Sequence, residues 1–170
     1  MPTNTFENLA TVTVSGTSTS AITFSGINTA TYRNFLVVGW IGMNANADTL
    51  VYRINGDTSN HTTSWMYGVG TPNATIPIIA LQTNQSGIRL TDTSTPANAS
   101  YGTAFRITIA NPRSGAVNSF SDALTAPSGE KPYNAVAQGY WLGTMTSLTI
   151  TGLSGNIMRP GSVVSLYGVI

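Results

Sequence analysis

A chain of 170 residues suits one folded domain whose core needs neither disulfides nor a structural metal. Charged residues make up 8% of it and the formal net charge is +1, too little and too scattered for an electrostatic footprint on nucleic acid, so direct DNA or RNA binding is not expected. Cysteine is absent, which excludes thiolate metal sites and a cysteine nucleophile.

Hydrophobic residues amount to 41% of the chain. They fall in short alternating runs among Thr, Ser, Asn and Gly, the composition of an all-β protein with many turns rather than of a disordered chain. No stretch approaches the ~18 apolar residues of a membrane span, and Met1-Pro2-Thr3-Asn4 lacks the basic and apolar regions of a secretory leader. Neither membrane association nor Sec export is expected, and residues 1–8 are expected to be a flexible segment.

Val12 and Val14, then Ile22 and Phe24, alternate with Thr and Ser and predict an opening pair of half-buried strands around a turn at 15–20. Over 35–43 both parities are apolar, with Phe35, Val37 and Ile41 on one side and Leu36, Val38 and Trp40 on the other. Such a strand is expected to be covered on both faces, by a second sheet and by an outer layer or a subunit contact. Leu50, Tyr52 and Ile54 share a face of the next strand, which runs into Asn55-Gly56-Asp57. Asn-Gly adopts positive φ at low cost, so a turn belongs there. Further strands are predicted at 64–69, 78–81, 88–90, 104–110, 135–142 and 148–151, with turns near 71–73, 91–100, 111–115 and 152–156. Residues 111–132, carrying Pro112, Pro127 and Pro132, have the weakest strand pattern and are expected to form an extended loop or arm. The run 161–170 alternates around Val164 and Leu166, and a strand there stays ordered only when neighbours pair with it. About eight to ten short strands without a helix predict a two-sheet antiparallel β-sandwich, jelly-roll-like, in a single domain over 1–170.

The inventory for catalysis is poor. His61 is the only histidine; although Asp57 and Ser59 are near it in sequence, no Gly-x-Ser-x-Gly elbow accompanies them, and 56–62 reads as a polar loop. The carboxylates are Glu7, Asp48, Asp57, Asp92, Asp122 and Glu130, mostly among turn-type neighbours, which favours surface roles over a glycosidase pair. Zinc would need several His or Cys ligands, and calcium has only Asp48 and Asp57 without a spaced acidic loop. No enzymatic activity and no cofactor is expected. Aromatic residues are the better candidates for contact with a glycan or a neighbouring subunit, namely Trp65, Tyr67, Tyr140 and Trp141. Trp65 and Tyr67 share one strand face, whereas Tyr140 and Trp141 must point oppositely. Arg53, Arg89 and Arg106 lie in predicted strands, and Arg106, on the polar side of Phe105-Arg106-Ile107, suits a bidentate contact with another subunit.

Several segments occur together in a fixed order: Phe35-Leu36-Val37-Val38, then Leu50 leading to Asn55-Gly56-Asp57 and Asn60, then Ile107-Thr108-Ile109-Ala110-Asn111-Pro112, then Leu148-Thr149-Ile150, and last Pro160-Gly161-Ser162 with Leu166-Tyr167-Gly168. Over roughly 32–170 this arrangement resembles a family of small virion structural proteins of tailed bacteriophages. His61 departs from it, since related sequences tend to place Tyr after the Asn. The resemblance implies a structural role and carries no catalytic residue over.

The expected function is that of a capsid decoration or cement protein, which bridges and stabilises capsomers. It would contact the major capsid protein or other virion proteins, form a symmetric oligomer, in particular a homotrimer, and be assembled into the virion in the host cytoplasm. The alternative is a tail-fibre or tail-tip module that binds a host glycan. Exposed coplanar aromatics in a groove favour that alternative, and two carboxylates facing across a cleft would favour an enzyme.

Overall fold

The computed structural model describes residues 6–44, 48–69, 78–91, 102–110, 112–113, 115–125, 133–155 and 158–170, with the backbone alone described at 67–69, 78–80 and 133. Twelve strands are present among them: β1 (Phe6–Thr13), β2 (Ala21–Ser25), β3 (Asn34–Ile41), β4 (Leu50–Ile54), β5 (His61–Val69), β6 (Ile78–Gln85), β7 (Ile88–Arg89), β8 (Thr103–Ala110), β9 (Val117–Thr125), β10 (Tyr133–Trp141), β11 (Ser147–Gly152) and β12 (Val163–Val169). They form two antiparallel sheets, the larger in the order β1-β12-β3-β8-β9-β10-β5-β6 and the smaller in the order β2-β11-β4-β7.

Eight of these strands pair in a nested way, β1 with β12, β2 with β11, β3 with β8 and β4 with β7. The β12–β3 and β11–β4 ladders join the nested pairs into two four-stranded layers. That is a jelly-roll β-sandwich. The hairpin β5–β6 lies between β4 and β7 in sequence, and β9–β10 between β8 and β11; all four inserted strands add to the β8 edge of the larger sheet.

One hydrophobic core lies between the sheets. Ile22, Phe24, Tyr52, Ile54, Leu148 and Ile150 enter it from the smaller sheet, and Phe35, Val37, Ile107, Ile109, Val164 and Leu166 from the larger. β8 shows the underlying pattern: Thr103, Phe105, Ile107 and Ile109 are buried, while Ala104, Arg106 and Thr108 are exposed. Beneath the insertions the core changes character, because β9 and β10 turn Ser119, Ser121, Ala123, Ala135 and Ala137 inward. These small residues let the smaller sheet come close. A Cβ on Gly139 would stand 2.5 Å from both Ile88 Cδ1 and Ser119 Oγ, and the buried Tyr52 hydroxyl lies 2.7 Å from Ser119 Oγ. Burial raises the Tyr52 pKa well above its ordinary value, so the group is a neutral structural hydrogen bonder.

Three expectations are corrected. The segment 111–132 is not one loop: its centre is β9, whose inward positions are Val117, Ser119, Ser121, Ala123 and Thr125. The alternation is real but is carried mostly by small and hydroxyl side chains, which disguise it. The flexible N-terminal segment cannot include residues 6–8, because β1 begins at Phe6 and pairs there with Val169; residues 1–5 lie outside the described set. β1 and β2 do not pair, but enter opposite sheets, as the nested topology requires. β3 buries Phe35, Val37 and Ile41 fully and leaves Leu36, Val38 and Trp40 half-exposed, so no outer layer among the described residues of this chain fully covers its second face and the subunit-contact alternative stays open.

Candidate functional site

The polar run 55–61 is a fold lock. Asn55 and Gly56 both have positive φ, 55° and 67°, as a type I′ turn demands, and the Asp57 N–H donates to the Ile54 carbonyl at 3.1 Å. The Asn55 side chain then reaches the segment leading into β11: Oδ1 accepts from the N–H groups of Thr146 (2.7 Å) and Ser147 (3.0 Å), and Nδ2 donates to the Thr144 carbonyl at 2.8 Å. The Asp57 carboxylate accepts from the Ser59 N–H at 2.9 Å, the Asn60 side-chain amide at 2.9 Å and the Trp141 indole N–H at 2.9 Å. Its pKa is held far below the usual carboxylate range, first by the Trp141 bond and then by Asn60 and Ser59. The β4–β5 and β10–β11 crossings between the sheets are thereby tied together.

His61 belongs to the same lock. Its side chain is fully buried, and Nε2 accepts from the Ile54 N–H at 3.1 Å. Burial lowers its pKa, against the opposing pull of the nearby Asp57 carboxylate. An imidazole whose acceptor nitrogen serves the backbone, with no exposed surface, is not placed to take a proton from an external substrate.

The described carboxylates are engaged separately. Glu7 accepts from the Tyr32 hydroxyl at 2.6 Å, which raises the Tyr32 pKa; Asp48 accepts from the Ser154 N–H with both oxygens at 3.1 Å; Asp122 pairs with Arg106 at 2.9 Å. Asp92 and Glu130 lie outside the described residues. Among the described residues, no three His, Cys, Asp or Glu side chains gather as a metal-binding group.

The aromatic candidates separate. Trp65 is only 7% exposed and faces inward, with the Arg89 guanidinium 4.3 Å from its ring centroid; it fills the space beside small Ala137, its partner on β10. Trp141 is likewise buried and committed to Asp57. Neither is available as an exposed platform, which corrects that expectation for both residues. The Tyr67 side chain lies outside the described set. Tyr140 and Arg106 do reach the outer face of the larger sheet, as their strand parity predicts.

Among the described residues of that outer face, two groups of apolar side chains stand on either side of the Arg106–Asp122 pair, which joins directly opposed residues of β8 and β9. The first is a strip on β3 and β12, where Leu36 is opposite Tyr167 and Trp40 opposite Val163, with Val38 and Val169 alongside. The second, on the inserted strands, is a groove of ≈ 460 Å³ bounded by Phe120, Tyr140 and Leu81, with Thr62, Ser64, Asn118 and Gln138 among its polar lining. Phe120 and Tyr140 are 43% and 38% exposed and are diagonal neighbours, since Phe120 opposes Gln138 while Tyr140 opposes Asn118. Sequence reasoning missed Phe120; the signal was an apolar residue sharing parity with Asn118 and Asp122. The smaller sheet differs on its outer face, where Thr23 and Thr149 join hydroxyls at 3.0 Å and Arg53 donates to the Ser86 carbonyl.

Comparison with protein-family models, curated proteins and solved structures finds no match to this chain.

Proposed function

We propose that this chain is a non-enzymatic structural protein of a bacteriophage virion, a capsid decoration or cement unit that binds its neighbours through the outer face of the larger sheet. The observation that carries the reading is the apolar strip of Leu36, Val38, Trp40, Val163, Tyr167 and Val169 on two interior strands of that sheet. In a sandwich whose outer faces meet only water, those positions would be mostly polar, as Thr23, Thr149 and Arg53 are on the smaller sheet. A mainly apolar strip, interrupted by Ser165 opposite Val38 and flanked by the Arg159 guanidinium 5.0 Å from the Trp40 ring centroid, has the composition of an interface core, in which Arg is common. The ordered resemblance to small tailed-phage structural proteins supplies the particle, and the strip supplies the mechanism: apolar area buried against capsomers and sister subunits of a symmetric oligomer, a homotrimer, resists internal pressure.

The test is a map of the intact particle by electron microscopy. Density for this jelly roll on the icosahedral shell is expected, and density confined to the tail would overturn the cement role. Sedimentation of the purified chain addresses the trimer, against which a strict monomer at high concentration would count.

A further inference from the structure

We propose that the groove between Phe120 and Tyr140 binds a neutral oligosaccharide. A pyranose ring offers an apolar C–H face and a rim of hydroxyls, each both donor and acceptor. The groove presents the complement of both. Phe120 and Tyr140, on adjacent strands, hold partly exposed ring surface at its edge, and flat aromatic surface is the apolar partner for such a C–H face. Gln138 and Asn118 bring amides that donate and accept at once, and Thr62 and Ser64 bring hydroxyls of the same dual character.

Charge excludes the main rivals. Among the described residues, no ionisable side chain apart from the Tyr140 phenol lines the groove, so they offer no counter-charge to a phosphate, a carboxylated ligand or a basic peptide. Arg106 and Asp122, charged residues of the same sheet face, pair with one another. The mixture of amides, hydroxyls and rings also sets the groove apart from the β3–β12 strip, whose mainly apolar side chains suit a protein partner.

The site is preorganised. Its walls stand on β5, β6, β8, β9 and β10, each hydrogen-bonded to its neighbours, so little conformational freedom is lost on binding. Its ≈ 460 Å³ lies within the usual range of small-ligand sites, ~300–1,000 Å³. Most of it is built by the two inserted hairpins, which the nested jelly-roll pairing does not require. The inference does not depend on where on a particle the protein sits.

The experiment is calorimetric titration of the whole chain with maltohexaose, cellohexaose and chitohexaose, together with the variants Phe120→Ala, Tyr140→Ala and Gln138→Ala. Saturable binding of at least one sugar is expected, weakened roughly five- to tenfold by either aromatic substitution and unchanged by Leu142→Ala, whose exposed side chain is not part of the groove. Thermal melts of all variants should match the parent, because the substituted side chains are exposed. Absence of binding by all the sugars to the folded parent would overturn the proposal, as would binding that survives the Phe120→Ala/Tyr140→Ala double substitution. Dissociation of an oligomer by that double variant, without sugar binding by the parent, would instead assign the groove to a second copy of the chain.

Discussion

Replacing Asp57 with Ala takes away the shared acceptor for Ser59, Asn60 and the Trp141 indole. A loss of about 2 kcal/mol is expected, read from the urea midpoint. The same residue shapes the acid response. Its folded pKa is depressed, so its contribution is complete above the unfolded value near ~4 and disappears as pH falls toward the folded one. His61 acts earlier on acidification: its folded pKa is also depressed, so stability is complete above ~6.5 and is lost as pH falls through the folded value. A melting curve against pH should therefore show both losses in the parent, while Asp57→Asn keeps the His61 loss and lacks the Asp57 loss. Gly139→Ala tests the close approach of the sheets, since its Cβ would meet Ile88 and Ser119; a loss of about 1–3 kcal/mol in chemical denaturation is expected. The turn at Asn55-Gly56 was legible because its backbone demand is local. What Asn55, Asp57 and His61 bind was not legible, because those partners include groups up to 92 positions away.

At the scale of elements, β12 is the strand on which the larger sheet depends. It pairs with β1 on one side and β3 on the other, and it buries Val164 and Leu166. Deleting 164–170 should abolish the cooperative thermal transition, and an equally stable truncated chain would refute this placement. The strand was readable from Val164 and Leu166 because its inward residues are large and apolar. β9 was not, because Ser119, Ser121 and Ala123 carry the same period with little contrast in hydrophobicity. The prolines at 112, 127 and 132 then drew attention from the alternation between them. Trp65 and Trp141 misled in the other direction, since their parity was readable but the side that would be covered was not.

For the whole molecule, composition and strand spacing were enough to predict a two-sheet sandwich of jelly-roll type, and the nested pairing bears this out. The two insertions escaped prediction because nothing local in β5, β6, β9 or β10 says which edge they extend. The β3–β12 strip was half legible: apolar residues on both parities of 35–43 implied a second cover, and Leu36, Val38 and Trp40 do face outward, half-exposed. Val38→Glu should leave the thermal stability of the separate subunit within about 1 kcal/mol of the parent while shifting sedimentation toward the monomer. An unchanged oligomer would remove the strip from the interface.

The place of β12 between β1 and β3 also sets a timetable. A ribosome delivers β1 and β3 long before β12, so the nascent chain carries two strands that lack their common neighbour while roughly 120 further residues are made. Their unpaired backbone N–H and C=O edges stand open during that interval, when crowding by sister chains on one message is greatest. Folding of the larger sheet is therefore a late event, governed by distant pairings and slow by nature. Yield in a foreign host should respond to lower temperature and holding chaperones more than to any change in the finished molecule's stability.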